Sequence, residues 1–350
     1  MERRLDMTGI RRIVCAAMCL LFLAAAASAG AEQVSLKTVQ KALDYVRKNQ
    51  PAELDLGEVK MKPQELKKIR DAMPAGGVLH FTSKWGALTF TDRDEEINLN
   101  VLKSGVSKDA LVALLEVVPT LKKLTCSKHY RMSNEVMVPL LTQYPQVEFV
   151  WHISLNGNHS LNSADTAYST FNTPTEKHKL TSTNLENLQY AKGIKALDLG
   201  HNKITSLEFL RFFPDIEFLI LGDNPIEDLT PLGELKHLQY LEMFSVKATD
   251  LSPLANCTEL LDLNLTYCSG ITDLSPLDGI QTLERCWLSH MSGITAEEEA
   301  RFIEKHPTAE CNFHGGDATG DGWRHHPRFK HYKTCLKSHQ WVSFSEIKAE

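Results

Sequence analysis

The residues of this 350-residue chain whose types and spacing could do chemistry lie mainly near its C-terminus. Residues 317–322 (DATGDG) begin like a calcium-binding loop, but the twelfth position, which needs a bidentate glutamate, holds Arg328. His325, His326 and His331 follow, without a cysteine or carboxylate at a zinc-binding spacing. These residues therefore predict neither a calcium nor a zinc site.

Catalytic motifs are also missing from the sequence. It contains no G-x-S-x-G, H-E-x-x-H, P-loop or dinucleotide fingerprint. Cys335 has histidines nearby and could suggest a nucleophile, but nothing in the sequence orients a base toward it. We therefore expect a non-enzymatic protein with no cofactor and no metal, and an unrecognised hydrolase is the least favoured alternative.

The elements that must position any site come from a repeat that begins at Ile194. Five units start at residues 194, 216, 238, 260 and 283, spaced by 22, 22, 22 and 23 residues. Each follows the pattern L-x-x-L-x-L-x-x-N/C of a leucine-rich repeat. One such unit cannot bury its own apolar edge, so the units must stack. The stack presents a broad surface rather than a pocket, which favours a binding scaffold.

The second half of each unit carries the segments DLTPL (228–232), DLSPL (250–254) and DLSPL (273–277) at matching positions. The spacing and these segments resemble the leucine-rich repeats of bacterial internalins. The resemblance implies parallel strands on a concave face and an irregular or 3₁₀ convex side, because proline interrupts a regular helix. It also implies an internal ladder at Asn202, Asn224 and Cys268. The fold class is therefore an α/β leucine-rich repeat solenoid with a helical N-terminal cap and a C-terminal cap.

The concave face is the predicted binding surface. The leucines of each strand point inward, so the residues between them point out. The resulting columns combine aromatic, apolar, charged and amide side chains, namely Phe218, Ile220, Tyr240, Glu242, Phe244, Asp262, Asn264, Tyr267, Arg285 and Trp287. Aromatic residues inside a polar rim are typical of interfaces. The alternative is that another part of the chain covers this patch.

A protein is the partner that this surface favours, and a surface or cell-wall glycan is the alternative, since aromatics beside carboxylates and Asn also suit sugars. Nucleic acid is disfavoured, because the chain has a net charge of −6 and lacks a concentrated basic face.

The N-terminus predicts secretion. Arg11 and Arg12 end a basic segment, and residues 13–27 form an apolar stretch too short to span a bilayer comfortably. Small residues around Ala29 suit cleavage, so we expect a signal peptide at 1–29, an extracytoplasmic protein and no stable membrane insertion after cleavage; a retained anchor is the alternative. Removal of four Arg, one Glu and one Asp takes the net charge from −6 to −8.

Six cysteines follow the predicted signal peptide. The repeat register assigns Cys257, Cys268 and Cys286 to buried positions, and strand patterns do the same for Cys126 and Cys311. We therefore predict free thiols, with Cys335, which has no core position, as the accessible one.

The rest of the chain divides by pattern. Short strands alternate with helices at periods of 24 to 26 residues, which predicts longer helical repeats; a separate α/β cap domain is the alternative. Trp323 is expected to plug the last layer of the solenoid. The predicted segments are an N-terminal helical cap (30–51), divergent longer repeats (52–153), a polar connector and helix (154–193), short repeats (194–313) and a C-terminal cap or tail (314–350).

Overall fold

The computed structural model describes residues 32–33, 36–129, 132–171, 179–320 and 322–346. The predicted signal peptide at 1–29 lies outside these residues. The chain forms two compact units, Met1–Phe149 and Val150–Glu350.

Unit 1 alternates strands and helices. Its strands are β1 (Glu32–Gln33), β2 (Glu53–Val59), β3 (Val78–Trp85), β4 (Leu88–Thr91), β5 (Glu96–Asn98), β6 (Lys123–Thr125) and β7 (Glu148–Val150). Its helices are α1 (Val39–Asn49), α2 (Pro63–Ala72), α3 (Lys108–Val117) and α4 (Asn134–Gln143). β1, β2 and β3 run parallel, and β4 returns antiparallel to β3 and forms a hairpin with it; β5 and β6 are parallel. The interpretation of residues 52–153 as longer repeats stays a prediction.

Helix α1 shows how local chemistry sets an element boundary. The sequence pattern predicts a helix that starts at Ser35, whereas α1 starts at Val39, because the Thr38 side chain accepts a hydrogen bond from the Lys41 backbone N–H and caps the first turn. Ala42 and Val46 lie on the buried side of the helix.

Unit 2 contains the repeats. Its strands are β8 (His152–Ser154), β9 (Ser160–Asn162), β10 (Ala167–Ser169), β11 (Ala196–Asp198), β12 (Phe218–Ile220), β13 (Tyr240–Glu242), β14 (Asp262–Asn264), β15 (Arg285–Trp287) and β16 (Glu310–Asn312). Its helices are α5 (Ser182–Leu185), α6 (Ala296–Lys305) and α7 (Pro327–Ser338). Strands β10 to β16 form one parallel sheet in sequence order. Short 3₁₀ turns lie between the strands of the repeats at Glu208–Phe212, Thr230–Glu234, Ser252–Asn256 and Ser275–Leu277.

The predicted repeat register is confirmed. Leu219, Leu241 and Leu263 are partners on successive strands, and Cys286 takes the same position on β15. All four side chains are fully buried. The ladder is present as well: the Asn224 side-chain amide donates to the backbone oxygens of two successive turns, at Leu199 and Leu221.

Two predictions about the ends of unit 2 need correction. The polar stretch from Asn156 contributes β9 and also β10, the first strand of the repeat sheet, because Ala167 and Tyr168 are buried there. The sequence also predicts a helix at 296–304 with Ile303 facing inward, but in α6 the inward-facing side chain is Phe302 and Ile303 is 44 % exposed.

The six described cysteines are free thiols, as predicted. Their accessibility differs from the prediction, because Cys335 lies on a buried side of α7, whereas Cys311, on the edge strand β16, is half-buried.

Candidate interaction surfaces of the repeat sheet

The predicted concave patch is assembled as the register requires, but it is not exposed. Nine of its ten residues are less than a tenth exposed, namely Phe218, Ile220, Tyr240, Glu242, Phe244, Asp262, Asn264, Arg285 and Trp287. Only Tyr267 is exposed, at 42 %. The expectation of an open aromatic surface is therefore wrong for these nine, and the alternative of coverage by the chain itself is correct.

The C-terminal segment covers the patch. We name residues 322–346 the tail; it consists of a 3₁₀ turn at Trp323–His325, helix α7 and an end that closes with a second 3₁₀ turn at Phe344–Glu346. Trp323 is fully buried, with its ring centroid 5.4 Å from that of Tyr240 and 5.2 Å from that of Trp287. Trp323 thus lies on the concave face and does not plug the last layer, because the aromatic columns offer it more apolar surface than the half-exposed β16 edge.

Helix α7 continues the aromatic contact toward the first repeats. The Tyr332 ring lies 4.8 Å from Phe218 and 5.6 Å from Tyr240, and Phe218 and Tyr240 stack on each other at 4.5 Å. Trp341, beyond the helix, stacks on Tyr332 at 5.1 Å. The tail and the concave columns thus share one apolar core.

Glu242 is the first of two buried carboxylates that hold the tail. It accepts hydrogen bonds from Tyr240 Oη at 2.8 Å and Trp323 Nε1 at 2.7 Å. Arg324 pairs with the same carboxylate. A fully buried carboxylate needs such partners, since an unpaired buried charge is costly. Glu242 therefore serves the tail contact and is not free for an external ligand in this conformation.

Asp262 is the second carboxylate. It accepts from Arg328 through Nε at 2.9 Å and Nη2 at 3.1 Å, which is the bidentate geometry that favours arginine. Arg285 Nη1 donates at 3.3 Å to Oδ1, which also accepts from Arg328 Nη2, and Arg285 Nη2 donates to the Trp323 backbone oxygen at 3.0 Å. The charged residues of the concave face are thus paired with cations and carbonyls of the tail.

The far end of the tail is fixed to the edge of the sheet. The His339 backbone oxygen accepts from Thr166 N–H at 3.1 Å, and its Nδ1 lies 3.1 Å from Asp165 Oδ2. The hydrogen bond to Asp165 raises the pKa of His339. Trp341 Nε1 donates to Glu217 at 2.9 Å, and although burial opposes it, this bond and Lys195 hold the pKa of Glu217 below its ordinary value.

A different row of residues stays exposed at the carboxyl ends of the strands. We name His201, Asp223, Ser245, Tyr267 and His290 the ridge; all five are exposed, and their φ angles are 58°, 55°, 56°, 66° and 56°. This left-handed region is uncommon for residues other than glycine. Five consecutive repeats therefore place a side chain in a costly backbone conformation at the same position.

Hydrogen bonds between repeats enforce this conformation. The backbone N–H of His201 donates to Gly222 at 2.8 Å, that of Asp223 to Phe244 at 2.8 Å, and that of Tyr267 to Ser289 at 3.0 Å. A strained residue persists only where its surroundings determine it. The ridge backbone is accordingly rigid, and it holds its side chains in a fixed row.

Neighbouring ridge side chains contact one another. His201 Nδ1 lies 2.8 Å from Asp223 Oδ2. The rings of Tyr267 and His290 stack at 4.4 Å with an interplanar angle of 6°. Beside this stack lies a cavity of about 490 Å³, lined among others by Tyr267, His290, Met291, Glu299, Phe313 and His314.

Gly222, next to the ridge residue Asp223, leaves space for the Phe244 ring. A Cβ at Gly222 would come within 2.4 Å of the Phe244 ring. The missing side chain lets the Phe244 ring pack against Gly222, with the tilted His201 ring at a centroid distance of 5.5 Å. Phe244 is thereby buried, although sequence reasoning placed it among exposed residues.

One signal in the sequence could have predicted the covered face. The tail is basic and aromatic, whereas the concave columns are acidic and aromatic, so the two are complementary. The tail residues that contact the concave columns lie outside the repeat, so the repeat register could not identify them. They are Trp323, Arg324, Arg328 and Tyr332.

No family model matches the chain, and no curated protein matches it. Among solved structures it is similar to internalin C2 of Listeria monocytogenes (23 % identity, 47 % of this chain and 82 % of that chain, TM-score 0.30). It is also similar to the internalin InlF of the same organism (13 %, 75 % and 73 %, TM-score 0.28) and to a leucine-rich repeat protein of Leptospira interrogans (15 %, 75 % and 72 %, TM-score 0.32).

At these identities and TM-scores the likeness carries no functional argument. The strand register and the asparagine ladder define the class of unit 2, which is a leucine-rich repeat solenoid. Among the described residues, no helix is long and apolar enough to cross a membrane, and no group of three or more His, Cys, Asp or Glu could hold a metal ion.

Proposed function

We propose that the protein is a secreted, non-enzymatic scaffold that binds a partner protein through the ridge. The observation that carries this proposal is the row of five exposed, non-glycine side chains at positive φ. Strained backbone clusters at functional positions, where it presents side chains in a set geometry. The secretion part rests on the basic and apolar segments of the N-terminus.

The ridge meets the physical requirements of a recognition surface. Its side chains follow one another at the spacing of neighbouring strands, about 4.8 Å. The scaffold beneath them is already ordered, so binding would not have to order the backbone. Tyr267 and His290 supply an exposed aromatic pair, and His201 and Asp223 supply a polar one.

The concave residues predicted as the binding site take another role in this proposal. Their aromatic and charged groups recognise the tail, a basic and aromatic segment, in the way that an interface recognises a partner. A competing protein would have to remove Trp323 and Arg328 from fully desolvated positions, which leaves Glu242 and Asp262 unpaired. Of the ten predicted residues, Tyr267 therefore remains as the contact for a partner protein.

A glycan is the second candidate ligand. The observation that favours it is the Tyr267–His290 stack beside a cavity lined by Glu299 and His314. A flat aromatic surface next to carboxylate and imidazole groups suits the apolar face and the hydroxyl groups of a sugar ring.

The experiment compares matched variants against the same extract. Immobilised mature protein is exposed to cell-surface and cell-wall extracts, with and without prior protease treatment of the extract. We expect retained material for the wild type, and its loss for the double variant Tyr267→Ala, His290→Ala. His237→Ala is the control. His237 is also exposed, but it precedes β13 and so lies at the amino ends of the strands, whereas the ridge lies at their carboxyl ends.

Protease sensitivity of the retained material identifies a protein partner, and resistance identifies the glycan. Equal retention by the wild type and the double variant would contradict binding at the ridge.

A further inference from the structure

A cleft in unit 2 separates helix α7 from the first strands of the repeat sheet. Its volume is about 680 Å³, which lies in the range of small-molecule sites. The cleft is distant from the ridge contact between Tyr267 and His290, because its sheet-side wall comes from β10 to β12.

One wall of the cleft is cationic. Lys330, Lys333 and Lys337 are spaced three and four residues apart on α7, so they share one face of the helix. All three are exposed, and in the described part of the chain no carboxylate forms an ion pair with any of them. The tail arginines differ, since Arg324 and Arg328 each hold a buried carboxylate. The lysine charge is therefore not needed to attach the tail.

The rest of the lining is largely apolar. Phe329 and Leu336 of α7 and Ile220 of β12 are buried at the bottom of the cleft. Phe171 stands at its edge with 60 % of its surface exposed. An exposed phenylalanine beside three unneutralised ammonium groups is an amphipathic surface.

Asp198 is the acidic group in the described lining, and its carboxylate is already engaged. It accepts from Ser169 Oγ at 2.8 Å and from the Gly200 backbone N–H at 3.3 Å. Burial raises the pKa of Asp198 above its ordinary value. The cleft thus keeps a net positive field in a protein whose overall charge is −6.

We propose that this cleft binds a small amphiphilic anion, with its carboxylate or phosphate head at Lys330, Lys333 and Lys337 and its apolar body against Phe171 and Ile220. The three lysines favour a negatively charged head group. The apolar wall favours a ligand with an apolar body over a bare inorganic anion. The inference does not depend on the ridge, because the two sites share no residue.

Calorimetry on the mature protein tests the proposal with four probes. Dodecanoate, below its micelle concentration, is expected to bind, and its affinity is expected to fall with rising ionic strength. Dodecanol, dodecyltrimethylammonium and inorganic phosphate are each expected to bind at least about ten-fold more weakly, because each lacks either an anionic head or the apolar body.

Two sets of variants locate the site. Lys330→Gln, Lys333→Gln, Lys337→Gln should weaken dodecanoate binding by about ten-fold or more. A control with the same charge change at exposed lysines outside the cleft, Lys192→Gln, Lys236→Gln, Lys247→Gln, should leave it unchanged. Phe171→Ala should weaken dodecanoate binding but keep its dependence on salt.

Failure of dodecanoate to bind the wild type would overturn the proposal. So would equal binding of dodecanol, or equal losses in the cleft and control triples.

Discussion

The same repeats carry two rows of side chains that differ in their exposure to solvent. The concave columns, including Tyr240 and Trp287, lie under the tail and are fully desolvated, whereas the ridge, one to five residues further along each repeat, stays in solvent. Both rows point away from the leucine core. A repeat pattern therefore predicts which side chains point away from the leucine core, but it does not predict which of them are exposed to solvent.

The difference has a physical origin in the two surfaces. The concave columns combine stacked aromatics with Glu242 and Asp262, which together favour an aromatic segment carrying arginines. The ridge has short, separated polar groups and one aromatic pair. A covering segment gains less there, because less apolar area would be removed from water.

Removing the central tail contact should produce the largest effect. Trp323→Ala is expected to lower the free energy of unfolding by about 3–5 kcal/mol, since it leaves a cavity between Tyr240 and Trp287. Tyr267→Ala, an exposed aromatic truncation, is the control and should change it by less than about 0.5 kcal/mol. Denaturant titration measures both, and equal effects would mean that the two rows are equally exposed.

The repeat register could be predicted from the sequence, but the repeat periodicity alone could not predict that the concave face is covered. The spacing of Leu219 and Leu263 fixes their strand partners, because a period of 22 residues allows only one stacking. The site residues were therefore brought together as predicted. Their burial depends on Trp323 and α7, which belong to no repeat, and periodicity carries no information about where a non-repeating tail folds back.

Breaking a buried charge pair should produce the next effect. Asp262→Asn removes the charge that Arg328 and Arg285 share, and it is expected to cost about 3 kcal/mol. Glu284→Gln removes the other partner of Arg328, but its side chain is 55 % exposed, so the cost should stay below about 1 kcal/mol. Thermal or chemical unfolding distinguishes the two, and similar values would contradict a desolvated tail interface.

A substitution on the ridge should have a smaller effect of a different kind. Ser245→Val is expected to cost about 1–2 kcal/mol, because a β-branched residue is strained at a φ of 56°. Ser245→Gly, which tolerates that angle, should be neutral or slightly stabilising. If the valine variant unfolds at the same denaturant concentration as the glycine variant, the ridge backbone is not held in this conformation.

The dependence of tail attachment on pH should be the smallest effect. The raised pKa of His339 gives a stabilising contribution that is complete below about pH 6.5 and is lost as the pH rises through the higher folded value. The lowered pKa of Glu217 gives one that is present above about pH 4.5 and is lost as the pH falls through the lower folded value. Attachment is therefore expected to be strongest between these limits.

Matched variants separate the two contributions. The difference in Tm between the wild type and His339→Gln should be largest near pH 6 and should disappear at alkaline pH. For Glu217→Gln the difference should persist at neutral pH and shrink in acid. A His339→Gln difference that grows with pH would have the wrong sign for the Asp165 contact.

The occupation of the concave face by the tail is tested most directly by hydroxyl-radical footprinting of the native protein, read by mass spectrometry at single aromatic residues. We predict that Tyr267 is oxidised quickly in the native protein. Tyr240, Trp287 and Trp323 should be protected, and Tyr240 should be oxidised only after unfolding. Oxidation of Tyr240 and Trp287 at a rate similar to that of Tyr267 would show an open concave face and would contradict the account.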